Sequence, residues 1–232
     1  MSGTSGEKPA FLLAGGRASG LADMTRMISR AYGGVQRPLV AYIGAANGDS
    51  ALFFKMMKTF LMRAGAGKVV FARLAKEKIN LAEAKDILSS ADVVFLSGGE
   101  VEDGMNWLAK HQLTGFLREL YREGKQFAGV SAGSIMLGNR WVRWEDPKDD
   151  GTAELFDCLC VVPAIFDTHA EDEDWVELKT ALKLMGDGAR GYGIPIGGMI
   201  CAGSDGAIAN LEKEYLTFVN DGGQVRQLTL DD

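Results

Sequence analysis

The sequence has little or none of several features that mark other classes of protein. Its three cysteines are an odd number in a 232-residue chain that needs no disulfide staples, so we expect a reducing, cytoplasmic setting. No apolar run reaches the roughly 18 residues that span a bilayer, so no membrane partner is expected. A net charge of −6 without a dense lysine and arginine block argues against a nucleic-acid partner.

The pattern that is present alternates short apolar runs with amphipathic stretches. Such alternation predicts parallel strands joined by helical crossovers, an α/β fold. The predicted strands are 10–13, 39–43, 68–71, 93–96, 126–130 and 161–166. The predicted helices are 21–32, 51–64, 81–89, 113–122 and 175–185. Short strands at 207–211, 215–219 and 224–228 predict C-terminal hairpins at the sheet edge. We expect a disordered leader over residues 1–9 and one domain over 10–232.

The most informative segment is Gly-Val-Ser-Ala-Gly at residues 129–133. A G-x-S-x-G sequence between a strand and a helix is typical of a nucleophile elbow, whose strained turn needs small neighbours around the serine. The apolar run before it and the small, then apolar, residues after it supply that context. Ser131 is therefore the predicted nucleophile, and a glycine-rich turn without catalytic function is the alternative reading.

Polar or glycine-rich residues follow several predicted strands, at the sheet edge where ligands bind in open α/β folds. A serine nucleophile needs a base, and the chain has only two histidines. His169 follows a predicted strand, whereas His111 lies in a polar junction between helical segments. His169 is therefore the predicted base. A solvated or capping histidine is its alternative reading.

The carboxylate that would orient the histidine is not determined by residue chemistry, because many acidic residues lie near His169 or after the serine helix. The candidates are Glu145, Asp146, Asp149, Asp150, Asp167, Glu171, Asp172, Glu173 and Asp174. Main-chain donors are easier to place. The N–H of Ala132, at a helix start, and an N–H of Gly98 or Gly99 are the predicted oxyanion hole.

These segments resemble the serine peptidases of the peptidase E and cyanophycinase type. The residues that carry the resemblance are Phe-Leu-Ser-Gly-Gly at 95–99, the 129–133 segment, the stretch from 156 to His169, and Gly-Ile-Pro at 193–195. The resemblance implies a three-layer fold with a mainly parallel central sheet, like that of class I glutamine amidotransferases and flavodoxin. It also implies Asp146 as the third catalytic residue. Glu145 is the alternative, since some relatives are described with a glutamate.

The chain departs from that family at positions that bear on the substrate. Glu100 stands where the family usually has asparagine, and the acidic residues 171–174 replace a stretch that carries an arginine in peptidase E. Strict specificity for an N-terminal aspartate is therefore not expected. If the acidic residues face the site they would attract an amine or a basic side chain, and helix N-terminal charge complementarity is the alternative. Glu100 and Gly16 are the candidate substrate contacts.

Taken together, the sequence predicts a serine hydrolase that cleaves a small peptide or isopeptide, as a dipeptidase or a cyanophycinase-like enzyme, and acts as a monomer or homodimer. No cofactor and no metal are expected. The glycine-rich segments at 15–20 and 65–69 lack the spacings of nucleotide-binding loops, and Cys158 with Cys160 lacks a second ligand pair for zinc. The alternatives are another amide or ester hydrolase on the same scaffold, or an inactive family member that binds a small ligand.

Overall fold

The computed structural model describes residues 8–15, 20–146 and 149–228. Seven helices and thirteen strands follow one another in these ranges. In the first half of the chain they are β1 (Ala10–Leu13), α1 (Leu21–Ala31), β2 (Leu39–Ile43), α2 (Ala51–Arg63), β3 (Lys68–Ala72), α3 (Leu81–Ser90), β4 (Val93–Leu96), α4 (Val101–Lys110) and α5 (Thr114–Arg122). In the second half they are β5 (Gln126–Val130), α6 (Ala132–Leu137), β6 (Arg140–Trp144), β7 (Ala153–Asp157), β8 (Ile165–Thr168), α7 (Val176–Met185), β9 (Arg190–Ile194), β10 (Met199–Ala202), β11 (Ile208–Glu212), β12 (Leu216–Asp221) and β13 (Gln224–Gln227).

The central sheet has seven strands in the order β11-β10-β1-β5-β4-β2-β3. The five strands from β1 to β3 in that order run parallel, and β10 and β11 extend the sheet antiparallel at one edge. The predicted α/β fold with a mainly parallel sheet is therefore confirmed. Because the strands are parallel, the residues that follow β2, β4 and β5 meet at one edge.

Helices cover both faces of this sheet, which makes three layers. Leu13, Tyr42 and Phe95 point to one face and pack with α1 and α2. The alternate residues Leu12 and Leu96 point to the other face, with α3, α4, α5 and α6. Strands that are buried on both faces read as continuous apolar runs, as Val-Val-Phe-Leu of β4 does. No helix in the described ranges is long and apolar enough to cross a membrane.

A second sheet of four strands, in the order β13-β12-β9-β8, carries the segment that precedes His169. The strand predicted over 161–166 begins only at Ile165, so its predicted start was wrong. Residues 158–162 are apolar because they pack under α6, where the N–H groups of Leu159 and Val161 donate to the carbonyls of Met136 and Leu137. They form a loop, buried except at Cys160, instead of a strand.

The predicted C-terminal hairpin strands are present, but they belong to two sheets. β11 pairs with β10 in the central sheet, whereas β12 and β13 pair with each other and extend the second sheet through β9. A separate hairpin of β6 and β7 lies after α6. Neither this hairpin nor α4 was among the predicted elements. Both bring side chains to the site described next.

Candidate active site

Ser131 occupies the turn between β5 and α6 with a strained backbone. Its φ of 54° and ψ of −127° lie where residues with a side chain are rarely found. The glycines on either side explain how α6 packs so close to the sheet. A Cβ on Gly129 would collide with the carbonyl of Gly133, and a Cβ on Gly133 would collide with the carbonyl of Leu96. The sequence therefore permits the tight turn that holds the Ser131 hydroxyl out of the strand.

Hydrogen bonds to β1 fix this turn. The N–H of Ser131 donates to the carbonyl of Leu13 at 2.9 Å. The buried hydroxyl of Ser134, in the first turn of α6, accepts from Leu13 N at 3.0 Å and donates to Leu13 O at 2.9 Å. Three bonds to one residue of the neighbouring strand restrict movement of the turn. The strained conformation of Ser131 persists because its surroundings impose it.

His169 lies directly after β8 and faces Ser131 across the two sheets. Its Nε2 is 2.8 Å from the hydroxyl oxygen of Ser131, within hydrogen-bond distance. The backbone of His169 has a φ of 48°, and its N–H donates to the carbonyl of Ile194 at 2.9 Å. Two strands of the second sheet thus position the imidazole: β8, which precedes His169, and β9, whose Ile194 carbonyl accepts its N–H. The structure brings together the two residues that the sequence predicts as nucleophile and base.

The glycine pair after β4 lies against Ser131. A Cβ added to Gly98 would be 3.1 Å from Ser131 Cβ and 3.5 Å from its hydroxyl. Gly99 has a φ of 144°, and a Cβ there would collide with the carbonyl of Ala46. Glu100 N donates to that same carbonyl at 2.7 Å. The short helical turn after β2 therefore sets the path of the glycine pair beside the serine.

A cavity of about 460 Å³ opens in front of these residues. Its walls come from the 99–102 segment, the turn at Ser131, β6, and the 167–177 segment. The apolar part includes Ile135, Trp141 and Trp144, and the charged part includes Glu100, whose role as a substrate contact stays a prediction. Trp141 and Arg143 on β6, and Glu177 on α7, were not singled out from the sequence. The Arg-Trp-Val-Arg-Trp run of β6 does not alternate between polar and apolar residues, so it carried no clear signal for a strand at the site.

Acidic side chains in this cavity have perturbed pKa values. Burial is the largest cause of a raised pKa at Asp167, and the nearby charges of Glu177 and Glu173 act in the same direction. The N–H groups of Thr168 and Leu178 oppose them, and the net pKa is about 7. Burial against the cavity wall also raises the pKa of Glu177, with added repulsion from Glu173 and Glu100 and a stabilising hydrogen bond from Trp141. Titratable groups with perturbed pKa values in a cleft are typical of functional sites.

The predicted orienting carboxylates lie outside this arrangement. Glu145 and Asp146 are exposed at the end of β6 and are not part of the cavity wall. The main chain of Asp146 is bonded to Thr152 at 3.0 Å in both directions. In the described ranges no hydrogen bond joins either carboxylate to His169. The role of Asp146, with Glu145 as alternative, therefore stays a prediction.

Three further residues singled out from the sequence are Ala132, Gly16 and His111. Ala132 is buried at the first position of α6, next to Ser131, where a helix N–H has no partner within the helix. Gly16 lies outside the described residues. His111 is remote from the cavity wall: its Nε2 is 2.9 Å from the carbonyl of Lys76, and its ring stacks on Trp107.

Comparison with known proteins identifies the family and the fold of the chain. The model of peptidase family S51 matches residues 10–207. A peptidase from an acI-B1 Actinobacterium superposes with a TM-score of 0.70 at 17% sequence identity, covering 97% of this chain and 96% of that one. A Listeria monocytogenes EGD-e protein designated peptidase E gives 0.65 at 17% identity, covering 90% of this chain and 100% of that one. Both share its fold.

A search of curated proteins finds no significant match. The family model nevertheless covers most of the chain, and the serine and histidine described above lie within the matched region. The chain belongs to peptidase family S51 and is a serine peptidase, a hydrolase.

Proposed function

We propose that this protein hydrolyses an amide bond in a small peptide or isopeptide, with Ser131 as nucleophile and His169 as general base. The observation that carries the proposal is the 2.8 Å separation of Ser131 Oγ from His169 Nε2, at the wall of a cavity. A nucleophile and base within hydrogen-bond reach are the signature of an activated serine.

The chemistry follows from these positions. Neutral His169 accepts the hydroxyl proton through Nε2 as Ser131 Oγ attacks the carbonyl carbon, which produces a tetrahedral oxyanion. Collapse of this species breaks the C–N bond, and the imidazolium returns the proton to the leaving amine. Water, deprotonated by the same imidazole, then attacks the acyl-enzyme ester and releases the acid together with free Ser131.

The oxyanion is stabilised by main-chain donors beside the serine. Ala132 N–H stands at the start of α6, and the glycine pair passes within contact distance of Ser131. We assign the hole to Ala132 N–H together with an N–H of Gly98 or Gly99. Fixed donors of this kind act where charge develops, and removal of one costs roughly 10² to 10³ in kcat.

The size of the cavity supports a small substrate. Pockets for small molecules occupy about 300 to 1,000 Å³, and this one measures about 460 Å³. It is enclosed on one side by the tryptophans of β6. A dipeptide or a short isopeptide fits this volume better than an extended polypeptide does.

The three cysteines are free thiols, in keeping with the cytoplasmic setting that we propose for the enzyme.

A hydrolysis screen tests the proposal. Dipeptides and isopeptides with neutral, acidic and basic residues are incubated with the wild-type protein and with Ser131→Ala, and product amine is measured. We expect cleavage of at least one member of the set and a loss of roughly 10³ or more in the variant. Turnover in Ser131→Ala within tenfold of wild type on a cleaved substrate would exclude Ser131 as the nucleophile. Binding without turnover in the wild type would favour an inactive, ligand-binding member of the family.

A further inference from the structure

A second cavity, of about 310 Å³, lies at the carboxyl end of β3, the edge strand of the central sheet. Its walls come from the end of β3, the loop over residues 73–80 and the first half of α3. Among the described residues it has no lining residue in common with the cavity beside Ser131. We propose that this second cavity, called the basic cavity below, binds a small organic phosphate through Arg73, Lys76 and Lys78.

The first support is the charge of the cavity wall. Three cationic side chains line it, those of Arg73, Lys76 and Lys78, against one carboxylate, that of Glu83. This excess is local, because the whole chain carries a net charge of −6. None of the three cations forms an ion pair within the described ranges. A concave surface lined by cations of this kind attracts an anion.

The loop over residues 73–80 is fixed so that its positive charges line the cavity and its negative charge does not. Glu77, the acidic residue of this loop, pairs with Lys110 near the end of α4 at 2.5 Å and is not part of the cavity wall. The carbonyl of Lys76 lies 2.9 Å from Nε2 of His111, which directly follows α4. These two contacts hold the loop on α4 and leave the cationic side chains of the loop at the cavity.

The guanidinium of Arg73 is stacked on an aromatic ring. Its central carbon lies 4.6 Å from the ring centroid of Phe71, which in turn stacks on Phe54 with centroids 4.3 Å apart. Stacking restricts the guanidinium and leaves the N–H groups of its edge for the oxygens of an anion. The apolar part of the wall is formed by the half-buried side chains of Phe71, Ile79 and Ile87. A phosphate attached to an apolar group would contact both parts of the cavity.

A phosphate matches this wall better than a carboxylate does. A phosphate monoester carries about 1.5 to 2 negative charges at neutral pH and three strong acceptor oxygens, which suit three cationic side chains. A carboxylate carries one charge on two oxygens. The volume of about 310 Å³ lies at the lower end of the roughly 300 to 1,000 Å³ of small-molecule pockets, so the ligand that fits is small.

A structural role explains part of the basic wall and predicts a different result. Burial raises the pKa of Asp49, which lies behind the loop, and the charges of Arg73 and Lys76 oppose that shift. These two cations therefore also stabilise a buried carboxylate. Cationic side chains still outnumber carboxylates when Asp49 is counted with Glu83. Lys78 is exposed and is not among the groups that influence Asp49, so a change at Lys78 tests ligand binding without this structural role.

Calorimetric titration of the wild-type protein with phenyl phosphate, inorganic phosphate and benzoate tests the ligand class. Phenyl phosphate is expected to bind at one site and roughly tenfold tighter than either of the others, because it alone offers both the phosphate and the ring. The absence of saturable binding of phenyl phosphate below about 10 mM overturns the proposal. Equal affinity for benzoate overturns the selection of phosphate, and equal affinity for inorganic phosphate overturns the role of the apolar wall.

Charge variants test whether the ligand lies in the basic cavity. Lys78→Gln is expected to weaken the binding of phenyl phosphate roughly tenfold, because a charge-assisted hydrogen bond is lost. Glu83→Gln is expected to strengthen it by about threefold, because a repelling charge is removed. Lys68→Gln, which is exposed at the other end of β3 and outside the basic cavity, is the matched control and should keep the wild-type affinity. Unchanged affinity in both Lys78→Gln and Glu83→Gln, with both proteins folded by circular dichroism, overturns the site.

Binding of the phosphate at the predicted oxyanion hole is the competing outcome. It would leave the affinity of Lys78→Gln unchanged and alter that of Ser131→Ala, and this pattern overturns the basic cavity. The titrations are independent of turnover. Peptide hydrolysis without binding of phenyl phosphate overturns the basic cavity alone, whereas binding that is weakened by Lys78→Gln supports it even if the protein hydrolyses no peptide.

Discussion

Asn47 and Gly98 are joined by a hydrogen bond of 2.8 Å from the side-chain amide of Asn47 to the main-chain carbonyl of Gly98. The same amide lies 3.3 Å from the hydroxyl of Ser97, and Asn47 Oδ1 accepts from Ser50 N at 3.2 Å. In a trans peptide the carbonyl of Gly98 and the N–H of Gly99 point in opposite directions. Asn47 therefore fixes the direction of the Gly99 N–H, one of the donors proposed for the oxyanion hole.

Replacement of Asn47 by aspartate is expected to lower kcat by roughly 10- to 100-fold with little change in KM, because the peptide is no longer held for the transition state. The new side chain keeps the acceptor for Ser50 N. It loses the donor to the carbonyl of Gly98 and to the hydroxyl of Ser97, and it places an acceptor oxygen against that carbonyl. Steady-state kinetics on any cleaved substrate measures the effect. Asn80→Asp, at the N-cap of α3, is the control and should stay within twofold. A change in melting temperature with unaltered kcat would assign Asn47 a structural role alone.

The strained backbone of Ser131 predicts a stability difference between two inactive variants. Ser131→Gly relieves the unfavourable φ and ψ, whereas Ser131→Ala retains them. Strain of this kind costs about 1 to 3 kcal/mol, and the greater freedom of glycine in the unfolded chain offsets about 1 kcal/mol. We expect the glycine variant to melt a few degrees above the alanine variant. Calorimetry checks the order, and a glycine variant that melts lower would show that the turn is not strained.

The two histidines are expected to differ sharply. His169→Ala should reduce kcat nearly as much as Ser131→Ala, and the double variant should be hardly worse, because the two residues act as one unit. His111→Ala should change activity by less than about twofold, since that ring is held by the carbonyl of Lys76 and by Trp107, away from the cavity. The measurement is kcat for Ser131→Ala, His169→Ala, the double variant and His111→Ala, each relative to wild type. Additive losses for the Ser131 and His169 changes would argue against a shared catalytic step.

The orienting carboxylate gives a separate prediction. A triad aspartate replaced by its amide loses up to roughly 10⁴ in kcat. Because Asp146 and Glu145 are exposed and outside the cavity wall, we expect Asp146→Asn and Glu145→Gln to lose less than about tenfold each. The measurement is kcat with saturating substrate. A loss near 10⁴ in one variant alone would make that residue the third member of the triad, through a conformation in which the end of β6 approaches His169.

The parts of this fold that could be predicted are those determined by local pattern. β2 and β4 are short apolar runs between amphipathic helices, and the elbow around Ser131 follows from its glycines. Asn47 could not be predicted from local sequence. Its contact with Gly98 forms only because β2 pairs with β4, which brings the turns after these two strands together. The burial of Asp167 could not be predicted from the sequence either. It results from the packing of α7 and β9 around β8, and the sequence does not show which of several carboxylates that packing encloses.

Asp167 predicts how stability depends on pH. Its pKa in the folded protein is about 7 against 3.8 for an ordinary aspartate, because burial and the charges of Glu177 and Glu173 disfavour ionisation. Between these two values the folded state binds more protons than the unfolded state, so this group lowers the free energy of unfolding as pH rises. The loss is complete above pH 7 and amounts to at most roughly 4 kcal/mol, at about 1.4 kcal/mol for each pKa unit.

Asp167→Asn removes this dependence while keeping the acceptor for Thr168 N. We therefore expect the variant to be about as stable as wild type at pH 4 and more stable at pH 8, by about 1 to 4 kcal/mol. Urea unfolding at both pH values measures the difference in the free energy of unfolding between the two proteins. The contributions of the other titratable and charged groups that line the cavity with Asp167 largely cancel in this difference, because both proteins contain them. These groups are Glu100, Glu173, Glu177, His169 and Arg143. A stability difference that is equal at pH 4 and pH 8 would show that Asp167 ionises normally in the folded protein.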